Sequence, residues 1–126
     1  VYSASSGTRN APNIIGFGDV AQWHMAIGTK RIEKRCMELA AYCYSEMAKV
    51  EGIKIISSDK AELGSAIVSF SLPEGKKNGD FRRIMNDKNY TIKSLPQYNA
   101  IRISNHMFTT NEDVDKMLAE LKIYLA

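Results

Sequence analysis

Two short stretches of this sequence carry residue types that hold anions. Gly7-Thr8-Arg9-Asn10 places a glycine, a hydroxyl, a guanidinium and an amide in successive positions just ahead of a helical pattern. A backbone turning at Gly7 can present N–H groups, together with the Thr8 hydroxyl, to a phosphate, and the positive end of the following helix adds a favourable dipole. The same residues also suit an ordinary surface loop, so this motif alone decides nothing. The second stretch is Ile101-Arg102-Ile103-Ser104. Alternation along a strand sends both isoleucines to the core and Arg102 to the opposite face beside Ser104, with His106 following. A guanidinium fork there can hold a carboxylate through two parallel N–H···O bonds, and a solvated edge-strand arginine or a structural ion pair are the alternatives.

No other residues assemble a reactive group. His24 lies beside Trp23 in a helical pattern and His106 follows the strand, and neither has a nucleophile or carboxylate partner from which a triad or dyad could be built. Packing or hydrogen bonding is the expected role of each. Cys36 and Cys43 fall on one face of a helical pattern, about 10 Å apart along its axis. A disulfide needs Cα atoms within about 7 Å, so they cannot bridge each other. Neither has a cysteine or histidine at metal-ligand spacing, so no metal site is expected. Both read as small core residues of a reducing, cytoplasmic compartment.

The elements that must position these residues follow from composition and period. With 126 residues, 44% hydrophobic and 25% charged, the chain has the make-up of one soluble domain. At that size folding buries roughly two thirds of the exposed surface, enough for one core without a staple. The net charge of +3 is spread over scattered basic residues, which excludes a nucleic-acid footprint of stacked aromatics and a basic stripe. Lys76 and Lys77 read as solvating a loop. No apolar run approaches the roughly 20 residues that span a bilayer, and no basic-then-apolar leader opens the chain. The opening Val1-Tyr2-Ser3-Ala4-Ser5-Ser6-Gly7 does not read as a natural start, and a piece of a longer protein is expected.

Residues 1–12 read as an extended connector. Asn13 to Ala26 follows a period near 3.6 and predicts a helix that Gly28 ends, with Thr29 placed to cap the next. Ile32, Cys36, Leu39, Cys43, Met47 and Val50 form an apolar stripe on a second helix over 30–50, closed by Gly52. Strands are expected over 53–57 and 65–72, the latter with Val68, Phe70 and Leu72 inward. A short helix over 80–88 buries Phe81, Ile84 and Met85, and strands follow over 90–95 and 100–104. A last helix has Thr109 or Thr110 as its cap, acidic residues in its first turn, and Val114, Met117, Leu118, Leu121 and Leu125 inward. The order predicts an α+β sandwich with helices on one face of a mainly antiparallel sheet. There are no repeats.

Read together, Ser6-Gly7-Thr8-Arg9-Asn10-Ala11-Pro12-Asn13-Ile14-Ile15-Gly16-Phe17-Gly18, Asn99-Ala100-Ile101-Arg102-Ile103-Ser104 and Phe108-Thr109-Thr110-Asn111-Glu112-Asp113-Val114-Asp115 resemble class V aminotransferases, pyridoxal-phosphate enzymes of fold type I. The resemblance covers nearly the whole chain and implies a connector over 1–12 and a C-terminal small domain over 13–126. The Gly-Thr-Arg start is most similar to the branch of isopenicillin N epimerase-like proteins. The resemblance implies that Thr8, with Gly7, binds the cofactor phosphate across a dimer interface. It also implies that Arg102 holds the α-carboxylate of an amino-acid-type substrate, and that the protein is a homodimer.

Such enzymes join the cofactor to a lysine that precedes the Gly-Thr motif, in a large N-terminal domain. No lysine here is assigned that role, and the 126 residues are expected to be inactive by themselves. Cysteine desulfurases, another branch, carry a nucleophilic cysteine on a loop ahead of the carboxylate-binding arginine. No cysteine follows Cys43, which argues against that activity and leaves aminotransferase, epimerase and lyase chemistry open. The competing expectation is a stand-alone α+β binding or dimerisation module without catalysis.

Overall fold

A computed structural model describes residues 10–126. Contacts divide the chain into two compact units that meet in sequence between Ile32 and Glu33. The first contains helix α1 (Ala11–Ile27), whose N-terminus is capped by Asn10: the Asn10 side chain accepts from the Asn13 N–H at 3.2 Å. The helix starts two residues earlier than its apolar period suggests. Pro12 falls in the first turn, where a missing N–H is harmless. Gly28, at φ 100°, ends it. Helix α2 (Thr29–Met47) starts at once, and the Arg31 and Ile32 N–H groups donate to the Gly28 carbonyl. Gly28 therefore serves both helices, and Thr29 is the first helical residue rather than the cap expected of it. No residue of α1 is buried.

In the second unit α2 buries Leu39, Ala40, Cys43 and Met47, with Val50 just beyond its end. Its stripe repeats every three to four residues, the spacing that keeps one face inward. Four strands follow: β1 (Lys54–Ile55), β2 (Ile67–Ser71), β3 (Lys93–Leu95) and β4 (Ala100–Ser104). They form one antiparallel sheet of order β1-β2-β4-β3. Helix α3 (Asn78–Asp87) lies between β2 and β3 in sequence, and α4 (Asn111–Leu125) ends the chain. Val68, Phe70 and Ile101 from the sheet share one core with Cys43, Met47, Phe81, Met85, Val114, Met117, Leu118 and Leu121 from α2, α3 and α4. The helices of this unit thus cover one sheet face, as the α+β reading requires.

Two strands are shorter than their β-branched sequences suggest. β1 pairs over Lys54 and Ile55 only, while Ile56 and Ser57 both donate to the Ser69 carbonyl, ending the regular ladder. The stretch before β3 turns at Asn89, φ 64°, and pairs from Lys93 on. Pro96–Tyr98 forms a 3-10 turn, and a second such turn lies at Ala61–Leu63. Cross-links fix the layers: the Tyr42 hydroxyl donates to Asp115 at 2.7 Å, joining α2 to α4. The Lys77 N–H donates to the Tyr124 hydroxyl at 2.9 Å, joining the start of α3 to the end of α4.

Candidate functional site

Arg102 sits at the middle of β4, and β4 is clamped before and after it. Asn99 adopts the left-handed conformation, φ 44°, that asparagine tolerates better than most residues. From there its Oδ1 accepts from the Asn78 N–H at 3.0 Å and its Nδ2 donates to the Lys76 carbonyl at 2.8 Å. The Asn78 side chain donates to the Ala100 carbonyl at 3.2 Å. At the far end, the Asn105 backbone N–H and Nδ2 both donate to the Ala66 carbonyl, at 2.8 and 3.2 Å. Asn78, Asn99 and Asn105 are positioning residues that the sequence reading did not single out. Their only signal is polar side chains flanking a short apolar strand, which many loops share.

The pleat does the rest. Ile101 is fully buried and Ile103 half-buried, while Arg102 and Ser104 are exposed on the other face. Arg102 stands opposite Ser69 of β2 and Lys93 of β3. β4 is an interior strand of the sheet, so the solvated edge-strand alternative does not hold. Nor does the ion-pair alternative among the described residues, since none of their ion pairs includes Arg102. The helices of this unit pack on the face opposite Arg102, and two cavities of the unit lie away from it. One, of about 620 Å³, lies between α2 and the β1–β2 connection and has Met37, Tyr44 and Val68 in its walls. The other, of about 470 Å³, lies between the β3 approach and the start of α4, against Tyr90, Asn105 and Phe108.

Gly7, Thr8 and Arg9 lie outside the described residues, so the expected phosphate contacts of Gly7 and Thr8 belong to the proposal below. Asn10, the last of that motif, caps α1. Both histidines have the packing roles expected. His24 lies edge-on to Trp23 at 5.1 Å, with Nδ1 2.9 Å from the Val20 carbonyl, and the His106 ring lies 4.8 Å from Phe108. Cys43 is fully buried in the core, and burial pushes its thiol up to about 11, partly offset by the Asn105 side chain. Hydrogen bonding to the Asp115 carboxylate pushes the Tyr42 hydroxyl up to about 12. Neither group is poised to exchange a proton near neutrality. No helix among the described residues is long and apolar enough to cross a membrane.

Residues 2–117 match the family described as Aminotransferase class-V. The chain belongs to the class-V aminotransferase family. Its members use pyridoxal phosphate. A probable cysteine desulfurase of Xylella fastidiosa (strain 9a5c) is 28% identical over 95% of this chain and 31% of its own length. Isopenicillin N epimerase of Amycolatopsis lactamdurans is 23% identical over 92% of this chain and 30% of its own length. A cysteine desulfurase from Thermococcus onnurineus NA1 superposes with a TM-score of 0.84 at 20% identity, covering 96% of this chain and 32% of that one. The likeness establishes the fold. Most of these class-V relatives are named cysteine desulfurases, and the isopenicillin N epimerases, which the Gly-Thr-Arg start resembles, form a second branch. The chain spans about a third of the length of such relatives.

Proposed function

We propose that this chain forms the C-terminal small domain, preceded by a connector over residues 1–12, of a longer pyridoxal-phosphate enzyme. Its substrate is an amino-acid-type molecule whose α-carboxylate Arg102 holds. The observation that carries this reading is an exposed arginine on a clamped interior strand, without an ion-pair partner among the described residues. A carboxylate is the ligand that fits such a fork, and the serine hydroxyls of Ser69 and Ser104 on the same face add further donors.

The residues present fit the cofactor as far as this chain's share goes. In the sequence Gly7 and Thr8 come shortly before a helix capped by Asn10, an order that suits a phosphate, and Thr8 with Gly7 would hold it. When bound, pyridoxal phosphate supplies an electron sink for charge that develops on the substrate α-carbon. The contribution of Arg102 is orientation: fixing the carboxylate fixes which bond to the α-carbon stands across the cofactor ring, and correct placement of that bond is worth orders of magnitude in rate. An N-terminal large domain and a second subunit complete the site in this reading.

Transamination and epimerisation need no thiol from the protein, and this sequence is compatible with both. The second reading is cysteine desulfurase activity, favoured by the names of the relatives. Against it weighs the placement of the thiols. Cys43 is sealed in the core, Cys36 lies on α2, and the segment ahead of Arg102 contains Lys93, Ser94, Leu95, Pro96, Gln97, Tyr98 and Asn99 but no cysteine. In the full-length protein, Arg102→Ala should lower kcat/KM for carboxylate-bearing amino acids by about 100-fold, with folding unchanged by circular dichroism. Unchanged turnover would refute the assignment. Sulfide release from L-cysteine that survives replacement of both Cys36 and Cys43 by serine would remove the thiol argument against the desulfurase reading.

A further inference from the structure

The outer face of the sheet is cationic without compensation. Its exposed residues include Lys54, Lys93 and Arg102, and the four strands contain no acidic residue. Lys93 and Arg102 are directly opposite each other on β3 and β4, where antiparallel pairing puts Cα atoms about 4.5–5.5 Å apart. Like charges so placed are destabilising. None of the ion pairs formed among the described residues includes either one.

Protection of the sheet edge does not account for this arrangement. β3 is an edge strand, and a charge on an edge strand discourages pairing with another chain. A glutamate at 93 would give the same protection and would also attract Arg102. A lysine there gives the protection and repels it, so the pair is intelligible as half of a contact whose other half is an anion. The anion must carry more than one negative group, because a single carboxylate already saturates the guanidinium fork.

We propose that Lys93 and Arg102 together select an acidic amino acid, Arg102 taking the α-carboxylate and Lys93 the side-chain carboxylate. This rests on the proposed role of Arg102 and names the substrate class of that same site. Ser69, opposite Arg102 on the other side, is placed to add a hydroxyl donor.

The test uses the full-length holoenzyme and the isosteric pairs L-glutamate with L-glutamine and L-aspartate with L-asparagine. Dissociation constants are read by calorimetry and by the change in cofactor absorbance, so binding is scored apart from turnover. The acids should bind at least about tenfold more tightly than their amides, and Lys93→Met should abolish that preference while leaving the amides' affinity unchanged. Arg102→Met should weaken acids and amides alike. An acid preference that is absent, or that survives Lys93→Met, overturns the inference and leaves the role of Arg102 standing. Arg102→Met without effect on either class overturns the underlying reading. Failure of all four amino acids to bind counts against the inference itself.

Discussion

Cys36 and Cys43 share a helix and differ in one property that decides their chemistry. Cys43 has no exposed surface and its thiol is pushed up to about 11, while Cys36 is partly exposed. Alkylation proceeds through the thiolate, so burial suppresses reaction at Cys43 twice, by access and by ionisation. Iodoacetamide at pH 8 followed by mass spectrometry should label Cys36 and leave Cys43 unmodified until denaturant is added; labelling of both at equal rates would contradict the buried placement. Linkage has a definite sign here. The folded thiol ionises at about 11 against an ordinary 9.0, so between those values the unfolded chain holds fewer protons than the folded one. The contribution to stability is intact below about pH 9 and is lost as pH rises toward 11, amounting to roughly 2 kcal/mol. Urea titrations across that range should show stability falling, and the fall should be smaller in Cys43→Ala.

Helix α4 begins with a reciprocal cap. The Thr110 side chain accepts from the Asp113 N–H at 3.1 Å, and Asp113 Oδ2 accepts from the Thr110 N–H at 2.9 Å. Those bonds, the Thr110 hydroxyl first, hold the Asp113 carboxyl below its ordinary value. A lowered carboxylate stabilises the fold above its unfolded value near 3.8, and the contribution is lost as pH falls below that and through the folded value. Thr110→Ala should cost about 1 kcal/mol by chemical denaturation at pH 7. It should also return the Asp113 titration, followed by carboxyl chemical shift, toward the ordinary range. The cap was legible in the sequence because a threonine, a three-residue spacing and an acid make a local signature. So were the α2 and α4 stripes, the inward face of β2 and the bounds of β4, all set by residues near one another in the chain. The strand order β1-β2-β4-β3 was not legible, since it depends on which strands meet after α3 has been packed. The shortness of β1 and β3 was missed because β-branched residues signal strand whether or not a neighbour supplies a ladder. At the site, alternation placed Arg102 outward, but its clamps at Asn78, Asn99 and Asn105 act across sequence separations that no local pattern records. Gly7 and Thr8 lie outside the described residues, and their role rests on the sequence motif and the family resemblance alone.

At the scale of the molecule, α1 carries more apolar surface than a finished protein leaves bare. Ile15 is 66% exposed, Phe17 75% and Met25 64%, with Ile14, Val20 and Trp23 also exposed. At 100° per residue these positions point in every direction around the axis, and a helix apolar all round belongs inside a larger assembly. A contiguous surface of that kind on a monomer drives association. The match to about a third of longer class-V relatives supplies candidates for what covers it: the remainder of the proposed enzyme and its second subunit. The paired substitution Ile15→Asp with Phe17→Asp should therefore act in opposite directions in two settings. In the 126-residue chain it should raise solubility and reduce binding of a hydrophobic dye, because nothing is lost by making an exposed surface polar. In the full-length protein it should lower the melting temperature and shift the proposed dimer toward monomer by light scattering, because two carboxylates would be desolvated where apolar side chains belong. A full-length protein that keeps its dimer and its stability with both aspartates would mean that α1 stays exposed there too. The small-domain reading would then lose its explanation for the most apolar helix in the chain.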